Sequence, residues 1–241
     1  MTIKKLLIAN RGEIASRIIS SAHDMGISCV AIYTEADKDT PYVREADQAF
    51  KLSDSYLNSK EILDIALKSN SDAIHPGYGF LSENAAFANQ VKKLNIKWVG
   101  PSSNAIKKMG DKLTAKEIAI KANVPTLPMT SDPKKANSIG YPILVKAAAG
   151  GGGKGMRIVE KAKDLKESIK AAEREAEGGF GDKRVFLERY IKRSRHIEIQ
   201  ILGDSFGNIV HLGERECSIP VSYTHLRAHE TVLDLVCRLL L

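Results

Sequence analysis

The sequence predicts an α/β fold, and three features near its start indicate this. Residues 6–9 form a short apolar run typical of a buried strand, and after the loop 10–13 apolar residues recur at helical spacing. A second apolar run, residues 27–33, begins after Gly26. Because a strand, a helix and a strand in succession favour a parallel crossover, we expect the first ~100 residues to form an open parallel sheet with helices on its faces.

Further segments continue this alternation as far as residue 100. We predict strands and helices at residues 48–52, 59–68, 73–74, 82–94 (with Ser82 as N-cap) and 97–100. The segment 75–84 connects a strand to a helix at the edge where open parallel sheets bind ligands, and the loop 10–13 should meet it there. The alternative is a tight connection whose polar residues bind nothing.

A glycine-rich loop is the most distinctive feature of the second half. Residues 141–159 have the pattern of a strand, a loop and a strand, and five of the six residues 150–155 are glycine. Such a flexible loop favours a place where backbone N–H groups approach a ligand, and phosphate is the expected ligand. The Rossmann and Walker A patterns do not fit, because a strand follows Gly155 and no Ser or Thr follows Lys154.

Two lysines are candidates for contact with phosphate. Lys146 lies in the apolar strand before the glycine loop, where a buried ammonium group is costly unless it faces an anion. Lys112 lies near the start of a helix that runs to Ala122, at the end where the macrodipole favours anions. The alternatives are a solvated edge lysine at position 146 and a solvated helix lysine at position 112.

Beyond the glycine loop we predict a helix, a strand and a hairpin, at residues 162–177, 184–188, and 196–202 with 209–212. In the first strand of the hairpin, isoleucines alternate with His196, Glu198 and Gln200. This polar row, together with Glu188 on the preceding strand, indicates the wall of a ligand cleft. The alternative is a polar face in contact with water.

Composition limits the classes of function. The formal charge is +7, but lysines alternate with acidic residues along the helices, so we expect an anionic small molecule and no nucleic acid. No apolar run reaches the ~18–20 residues of a membrane span, and no signal region is evident, which indicates no membrane contact and a cytoplasmic location. Cys29, Cys217 and Cys237 are too scattered for a disulfide framework, and we expect no metal site in this chain.

These motifs together resemble the N-terminal half of the biotin carboxylase family, whose members are ATP-grasp enzymes. The resemblance extends from Met1 to Ile219 and is carried by residues 8–15, 75–84, 109–112, Lys146 with the glycine loop, 188–190, 195–200 and 213–219. It implies a Rossmann-like pre-ATP-grasp N-terminal domain at residues 1–110 and an α+β ATP-grasp lid domain at 131–203. A connecting helix and linker at 111–130 joins them, and a truncated third domain begins at 204–219.

The resemblance also implies an activity. Family members are ATP-dependent ligases that convert bicarbonate to carboxyphosphate and then carboxylate biotin on its carrier protein. They use ATP and Mg²⁺ and serve acetyl-CoA carboxylase in fatty acid biosynthesis, or other acyl-CoA or pyruvate carboxylases. The implied partners are a biotin carboxyl carrier protein or domain, a carboxyltransferase component and, at full length, a second copy of the chain.

By the same resemblance, the site residues are those of an ATP site. Lys112 and Lys146 would contact phosphates, Gly152 and Gly153 would close over them, Glu188 with the backbone of Arg189 and Ile191 would hold the adenine side, and His196 would reach the ribose region. The magnesium ligands, the bicarbonate site and the catalytic base are expected beyond Ile219.

The resemblance ends at Ile219. Residues 220–241 do not match the family, and we expect them to be an artefactual tail and the 241-residue chain to be inactive alone. Two alternative functions remain open. One is another ATP-grasp ligase, such as a relative of carbamoyl-phosphate synthetase, against which the segment 75–84 argues. The other is a non-catalytic nucleotide-binding module.

Overall fold

The computed structural model describes residues 2–149, 155–192, 195, 197–204 and 206–216 of the chain. Contacts divide the chain into two compact units. Among the described residues, the first contains those up to Lys107 together with Ile201–Val210, and the second contains Lys108–Gln200 and those from His211 onward. None of the helices in the described ranges combines the length and the hydropathy that a membrane span requires.

The first unit contains a five-stranded sheet with helices between its strands. In chain order its elements are β1 (Lys5–Ile8), α1 (Gly12–Asp24), β2 (Ser28–Tyr33), α2 (Pro41–Glu45), β3 (Gln48–Lys51), α3 (Ser59–Lys68), β4 (Ala73–His75), α4 (Ala85–Lys93) and β5 (Lys97–Trp98). The strands lie in the order β3-β2-β1-β4-β5, and every ladder between them is parallel. The predicted open parallel sheet is therefore confirmed. A further helix, α5 (Ser103–Gly110), was not predicted.

Apolar side chains cover both faces of this sheet. Leu7 and Val30 pack on one face with Phe87 of α4, and Ile8 packs on the other with Ile19 of α1. Successive residues of a strand point to opposite faces, so a sheet buried on both sides needs apolar residues at every position. This explains why its strands have continuous rather than alternating apolar patterns.

The loops after β1 and β4 meet, as the sequence predicts. These two strands are neighbours at the point where the strand order changes direction. The buried side-chain amide of Asn10 donates hydrogen bonds to the carbonyl oxygens of Pro76 at 2.7 Å and Tyr78 at 2.9 Å. The hydroxyl of Tyr78 donates to the carboxylate of Glu13 at 2.7 Å. The two loops therefore form one surface at the carboxyl edge of the sheet, and its role in binding remains a prediction.

The fourth helix starts later than predicted, and Ser82 is not its N-cap. The side chain of Asn84 accepts a hydrogen bond from the backbone N–H of Phe87 at 2.9 Å, which makes Asn84 the cap. The N–H of Ser82 instead bonds to the carbonyl of Gly79 in a preceding turn. Ser and Asn are about equally good N-caps, so the local pattern did not distinguish the two positions.

Gly77 is the position where the loop surface is most sensitive to an added side chain. Its φ is +64°, and a Cβ there would lie 2.6 Å from Nδ2 of Asn10 and 2.7 Å from Cγ2 of Ile14. We expect Gly77→Ala to lower the free energy of unfolding of the first unit by about 2–3 kcal/mol, because backbone strain and crowding add. Urea unfolding monitored by the fluorescence of Trp98, the only tryptophan, measures this.

Gly26→Ala is the matched control for this substitution. Its φ is +71°, but no atom lies within 4 Å of the added Cβ, so only the backbone penalty applies. We expect that variant to lose about 1 kcal/mol. Equal losses in the two variants would show that crowding by Asn10 and Ile14 contributes nothing.

The second unit is an antiparallel sheet with helices. Its elements are α6 (Lys112–Lys121), β6 (Met129–Thr130), α7 (Ala136–Ile139), β7 (Ile143–Ala147), β8 (Arg157–Val159), α8 (Leu165–Phe180) and β9 (Val185–Arg189). The strand order is β6-β9-β7-β8, and all three ladders are antiparallel. β7 and β8 are paired neighbours, which confirms the two predicted strands, while the glycines 150–153 between them lie outside the described residues.

The last two described strands form a hairpin, as predicted. They are β10 (Ile197–Gly203) and β11 (Ile209–Glu216). Asp204 fixes the turn, since its side chain accepts hydrogen bonds from the N–H groups of Phe206 at 2.8 Å and Asn208 at 2.9 Å. On the polar face of β10, Glu198 forms an ion pair with Arg215 of β11.

Candidate functional site

The central ladder of the second unit gives its sheet two different faces. On one face, Val145 of β7 and Leu187 of β9 belong to an apolar cluster under the helices. The residues next to them point the other way, because side chains alternate along a strand. Lys146 is the cross-strand partner of Phe186, two residues before Glu188. Lys146 and Glu188 therefore share the second face and lie diagonally across the ladder, within reach of long side chains.

Three charged side chains meet on this second face. Lys116 of α6 forms an ion pair with Oε1 of Glu188, and Nζ of Lys146 lies 3.4 Å from Oε2 of the same carboxylate. The exposed fractions are 7% for Lys116, 2% for Lys146 and 3% for Glu188. Nζ of Lys146 also lies 5.9 Å from the centre of the Phe186 ring. We call these three residues the lysine–glutamate cluster.

The lysine–glutamate cluster has more positive than negative charge. Two ammonium groups share one carboxylate, and among the described residues no second carboxylate lies within ion-pair distance of either lysine. A buried charge is costly unless a partner of opposite sign compensates it. Such a cluster is therefore suited to an anionic ligand, which would supply the missing negative charge.

The start of α6 is fixed beside the end of β7. The side chain of Asp111 caps the helix by accepting from the N–H of Thr114 at 2.8 Å, and it also accepts from Arg184 at 2.8 Å. Burial by itself would raise the pKa of Asp111, but these hydrogen bonds hold the pKa below its usual value. The N–H of Lys112 donates to the carbonyl of Ala148 at 3.1 Å. Lys112 is therefore attached to the residues that lead into the glycine loop.

The structure brings several of the sequence-predicted residues to this sheet. The backbone N–H of Lys112 is hydrogen-bonded to Ala148, two residues after Lys146, and the side chain of Glu188 lies beside that of Lys146. Arg189 follows Glu188, and its side chain donates to the carbonyl of Ile139 at 3.0 Å. Ile191, just beyond β9, is exposed. Gly152, Gly153 and His196 lie outside the described residues.

Lys116 was missed by the sequence prediction. Its partner Glu188 is 72 residues away in the chain, so the ion pair depends on tertiary structure. One local signal was present: Lys116 follows Lys112 by four residues, which places both on the same face of α6. Once Lys112 is a candidate for phosphate contact, that spacing makes Lys116 a candidate for the same region.

The first unit contains a second buried polar cluster, around Asp37. Its carboxylate forms an ion pair with Arg11 and accepts hydrogen bonds from the hydroxyls of Tyr56 at 2.5 Å and Thr34 at 3.2 Å. The hydrogen bond from Arg11, more than any other contact, lowers the pKa of Asp37. The Tyr56 hydroxyl also bonds to that of Tyr42 at 2.9 Å. The carboxylate is fully compensated, which indicates a structural role.

His23, Cys29 and Asp47 bring three metal-capable side chains together near β2, although the sequence predicted no metal site. The carboxylate of Asp47 accepts from the backbone N–H of Cys29 at 2.7 Å and lies 3.0 Å from Nε2 of His23. Burial raises the pKa of the Cys29 thiol to about 11. A thiol ligates metals as a thiolate, so this cluster favours its own hydrogen bonds over a metal ion.

Two family models match the sequence of this chain. The family model described as "Biotin carboxylase, N-terminal domain" matches residues 2–106, and the one described as "Carbamoyl-phosphate synthase L chain, ATP binding domain" matches residues 86–232. The chain belongs to the biotin carboxylase family. The described residues of its second unit lie within residues 86–232, the part that matches the ATP-binding domain.

Individual relatives are similar over nearly the whole chain. Biotin carboxylase 1 of Bacillus subtilis is 50% identical over 90% of this chain and 51% of its own length. The Campylobacter jejuni biotin carboxylase in complex with beta-gamma-ATP is 47% identical, with a TM-score of 0.87 over 90% of this chain and 51% of its own. This chain thus spans about half the length of these relatives.

A third relative has been solved with several ligands. It is the biotin carboxylase domain of 2-oxoglutarate carboxylase from Hydrogenobacter thermophilus, in complex with MgADP, ADP and bicarbonate. The identity is 44% and the TM-score is 0.87, over 91% of this chain and 51% of that domain.

Proposed function

We propose that this chain binds ATP in its second unit and belongs to an enzyme that carboxylates biotin with bicarbonate. The observation that carries the proposal is the lysine–glutamate cluster, a buried site with an excess positive charge on the strand that precedes the glycine-rich segment in the sequence. The triphosphate of ATP supplies the anion that this site lacks. The relatives solved with ADP or beta-gamma-ATP support the same nucleotide class.

In this proposal the residues have the roles that the family resemblance implies. Lys146 and Lys112 contact phosphates, and Gly152 and Gly153 close over them. Glu188 with the backbone of Arg189 and Ile191 holds the adenine side, and His196 reaches the ribose region. The proposed domains are residues 1–110, 111–130, 131–203 and 204–219. Residues 220–241 are proposed to be an artefactual tail, although the ATP-binding family model matches as far as residue 232.

The proposed reaction has two steps. A bicarbonate oxygen attacks the γ-phosphorus of ATP, so an O–P bond forms while the bond to ADP breaks, and carboxyphosphate results. The carboxyl group then passes to the ureido nitrogen of biotin, which loses its proton, and phosphate leaves. Phosphoryl transfer depends on positioning and on stabilising negative charge, so lysines and backbone N–H groups around the phosphates are the contribution expected from this chain.

Magnesium is the metal expected in such a reaction, but the described residues do not provide a site for it. Mg²⁺ binds through oxygen ligands, commonly carboxylates. The carboxylate of Glu188, beside Lys146, is already paired with two lysines. The one described group of three metal-capable side chains includes a thiol and an imidazole, which do not suit Mg²⁺.

The proposed partners are a biotin carboxyl carrier protein, a carboxyltransferase component and a second copy of the full-length chain, in a cytoplasmic acyl-CoA or pyruvate carboxylase. Another ATP-grasp ligase is the second candidate, because the second half of the chain matches a domain described for carbamoyl-phosphate synthase. The match of residues 2–106 to the biotin carboxylase N-terminal domain favours the first candidate.

Nucleotide binding tests the proposal directly. We expect the 241-residue chain to bind ADP and ATP in isothermal titration calorimetry, and to bind GTP more weakly because the site is proposed to recognise adenine. Binding rather than turnover is measured, since the chain spans about half the length of its relatives. A folded chain that bound neither ADP nor ATP at millimolar concentrations would contradict the proposal.

A further inference from the structure

The two lysines of the lysine–glutamate cluster are not equivalent. Lys116 forms a close ion pair with Oε1 of Glu188, whereas Nζ of Lys146 is 3.4 Å from Oε2, at the outer limit of a hydrogen bond. They also come from different elements, Lys116 from α6 and Lys146 from β7. The carboxylate is thus held firmly by one lysine and loosely by the other.

This difference determines what happens when an anion enters the site. If Lys146 were the only partner of Glu188, its turn toward a phosphate would leave a buried carboxylate unpaired, and this is costly. With Lys116 in place, Glu188 keeps a partner after Lys146 has moved. Lys146 therefore exchanges a weak contact for a strong one, and no buried charge is left alone.

We propose that Lys116 is a positioning residue, which retains Glu188 and thereby leaves Lys146 available to the phosphates of a nucleotide. The inference rests on the proposed ATP site and adds to it a residue that does not itself touch the nucleotide. Lys116 acts through Glu188, and Glu188 acts by competing with phosphate for Lys146.

The test is a double-mutant cycle of ADP affinity. The variants are Lys116→Met, which keeps an unbranched side chain without charge, Glu188→Gln, and the double variant. We expect Lys116→Met to weaken ADP binding about tenfold, because Glu188 then pairs with Lys146 alone and holds it. In the Glu188→Gln background the same substitution should change affinity less than about twofold, since no carboxylate competes for Lys146.

Each other outcome overturns the inference. Equal losses of affinity in both backgrounds would mean that Lys116 contacts the nucleotide directly. A lower melting temperature with unchanged ADP affinity would mean that Lys116 is only structural. If Glu188→Gln binds too weakly to measure, the cycle is run with Lys146→Met, in which Lys116→Met should again have no further effect. Absence of ADP binding by the unmodified chain would instead reject the proposed function, so the two failures are distinguishable.

Lys163→Met is the matched control for charge. Lys163 is an exposed lysine of the same unit, so its substitution removes the same formal charge at the surface, away from the cluster. We expect it to leave ADP affinity within about twofold of the unmodified chain, because a distant exposed charge is screened by salt. A tenfold loss in this control would show that net charge, and not the position of Lys116, controls binding.

Discussion

Lys146→Met is expected to weaken ADP and ATP binding by about 100-fold, which corresponds to about 2.7 kcal/mol. Lys146 is 2% exposed and lies on the strand that leads into the glycine loop, so its ammonium group is expected to meet phosphate in a site with little water. A charge-assisted contact is stronger there than at the surface. Isothermal titration calorimetry with ADP and ATP measures the change.

The fold of this variant is expected to survive. After the substitution Glu188 still has Lys116 as its partner, so the unliganded cluster contains one positive and one negative charge. Methionine fills nearly the volume of the lysine stem, and it removes a buried charge that had no full partner. Unchanged thermal unfolding with reduced affinity is the expected combination. A folded Lys146→Met chain that bound ADP normally would make Lys146 a structural lysine.

Lys146 shows why part of the site was predictable. A lysine within an apolar strand is already anomalous in the sequence, because the residues around it indicate burial. Its strand, the glycine loop and the following strand are contiguous in the chain, so the local pattern contains the whole motif. Glu188 lies on β9, and its contact with Lys146 was not predicted, although Glu188 itself was a candidate for the ligand cleft. Lys116 needed the tertiary structure, because neither propensity nor periodicity specifies a contact across 72 residues.

The parallel sheet of the first unit was predictable for a similar reason. Its order of strands and helices follows from apolar runs and from the preference for right-handed crossovers. The meeting of the loops at Asn10 and Tyr78 then follows from parallel strand ends sharing one edge. Details that depend on one hydrogen bond were less predictable, as the cap at Asn84 instead of Ser82 shows. The Asp37 cluster was not predicted, because its members come from α2 and from three separate connections that follow β1, β2 and β3.

Asp37→Ala is expected to destabilise the first unit by about 3 kcal/mol. The substitution leaves the buried hydroxyl of Tyr56 and the guanidinium of Arg11 without their acceptor. Half of the Arg11 side chain is exposed and remains hydrated, which keeps the loss below that of a fully buried pair. Urea unfolding followed by the fluorescence of Trp98 measures the change. Asp39→Ala, at an exposed aspartate two residues away, should change stability by less than about 0.5 kcal/mol.

The stability contributed by Asp37 should also depend on pH, with a sign fixed by its lowered pKa. The hydrogen bond from Arg11 lowers the pKa of Asp37 in the folded protein, while in the unfolded chain it is about 3.9. The unfolded state therefore binds the proton more readily, and the contribution of Asp37 to the free energy of unfolding is complete above pH ~5 and declines as the pH falls below ~4.

The variant Asp37→Asn tests this pH dependence, because it lacks the titrating carboxylate while every other acidic group is common to both proteins. The difference in unfolding free energy between the unmodified chain and Asp37→Asn should therefore be constant from pH 7 to 5 and shrink toward pH 3. A difference that stayed constant down to pH 3 would mean that Arg11 does not stabilise the charged form of Asp37.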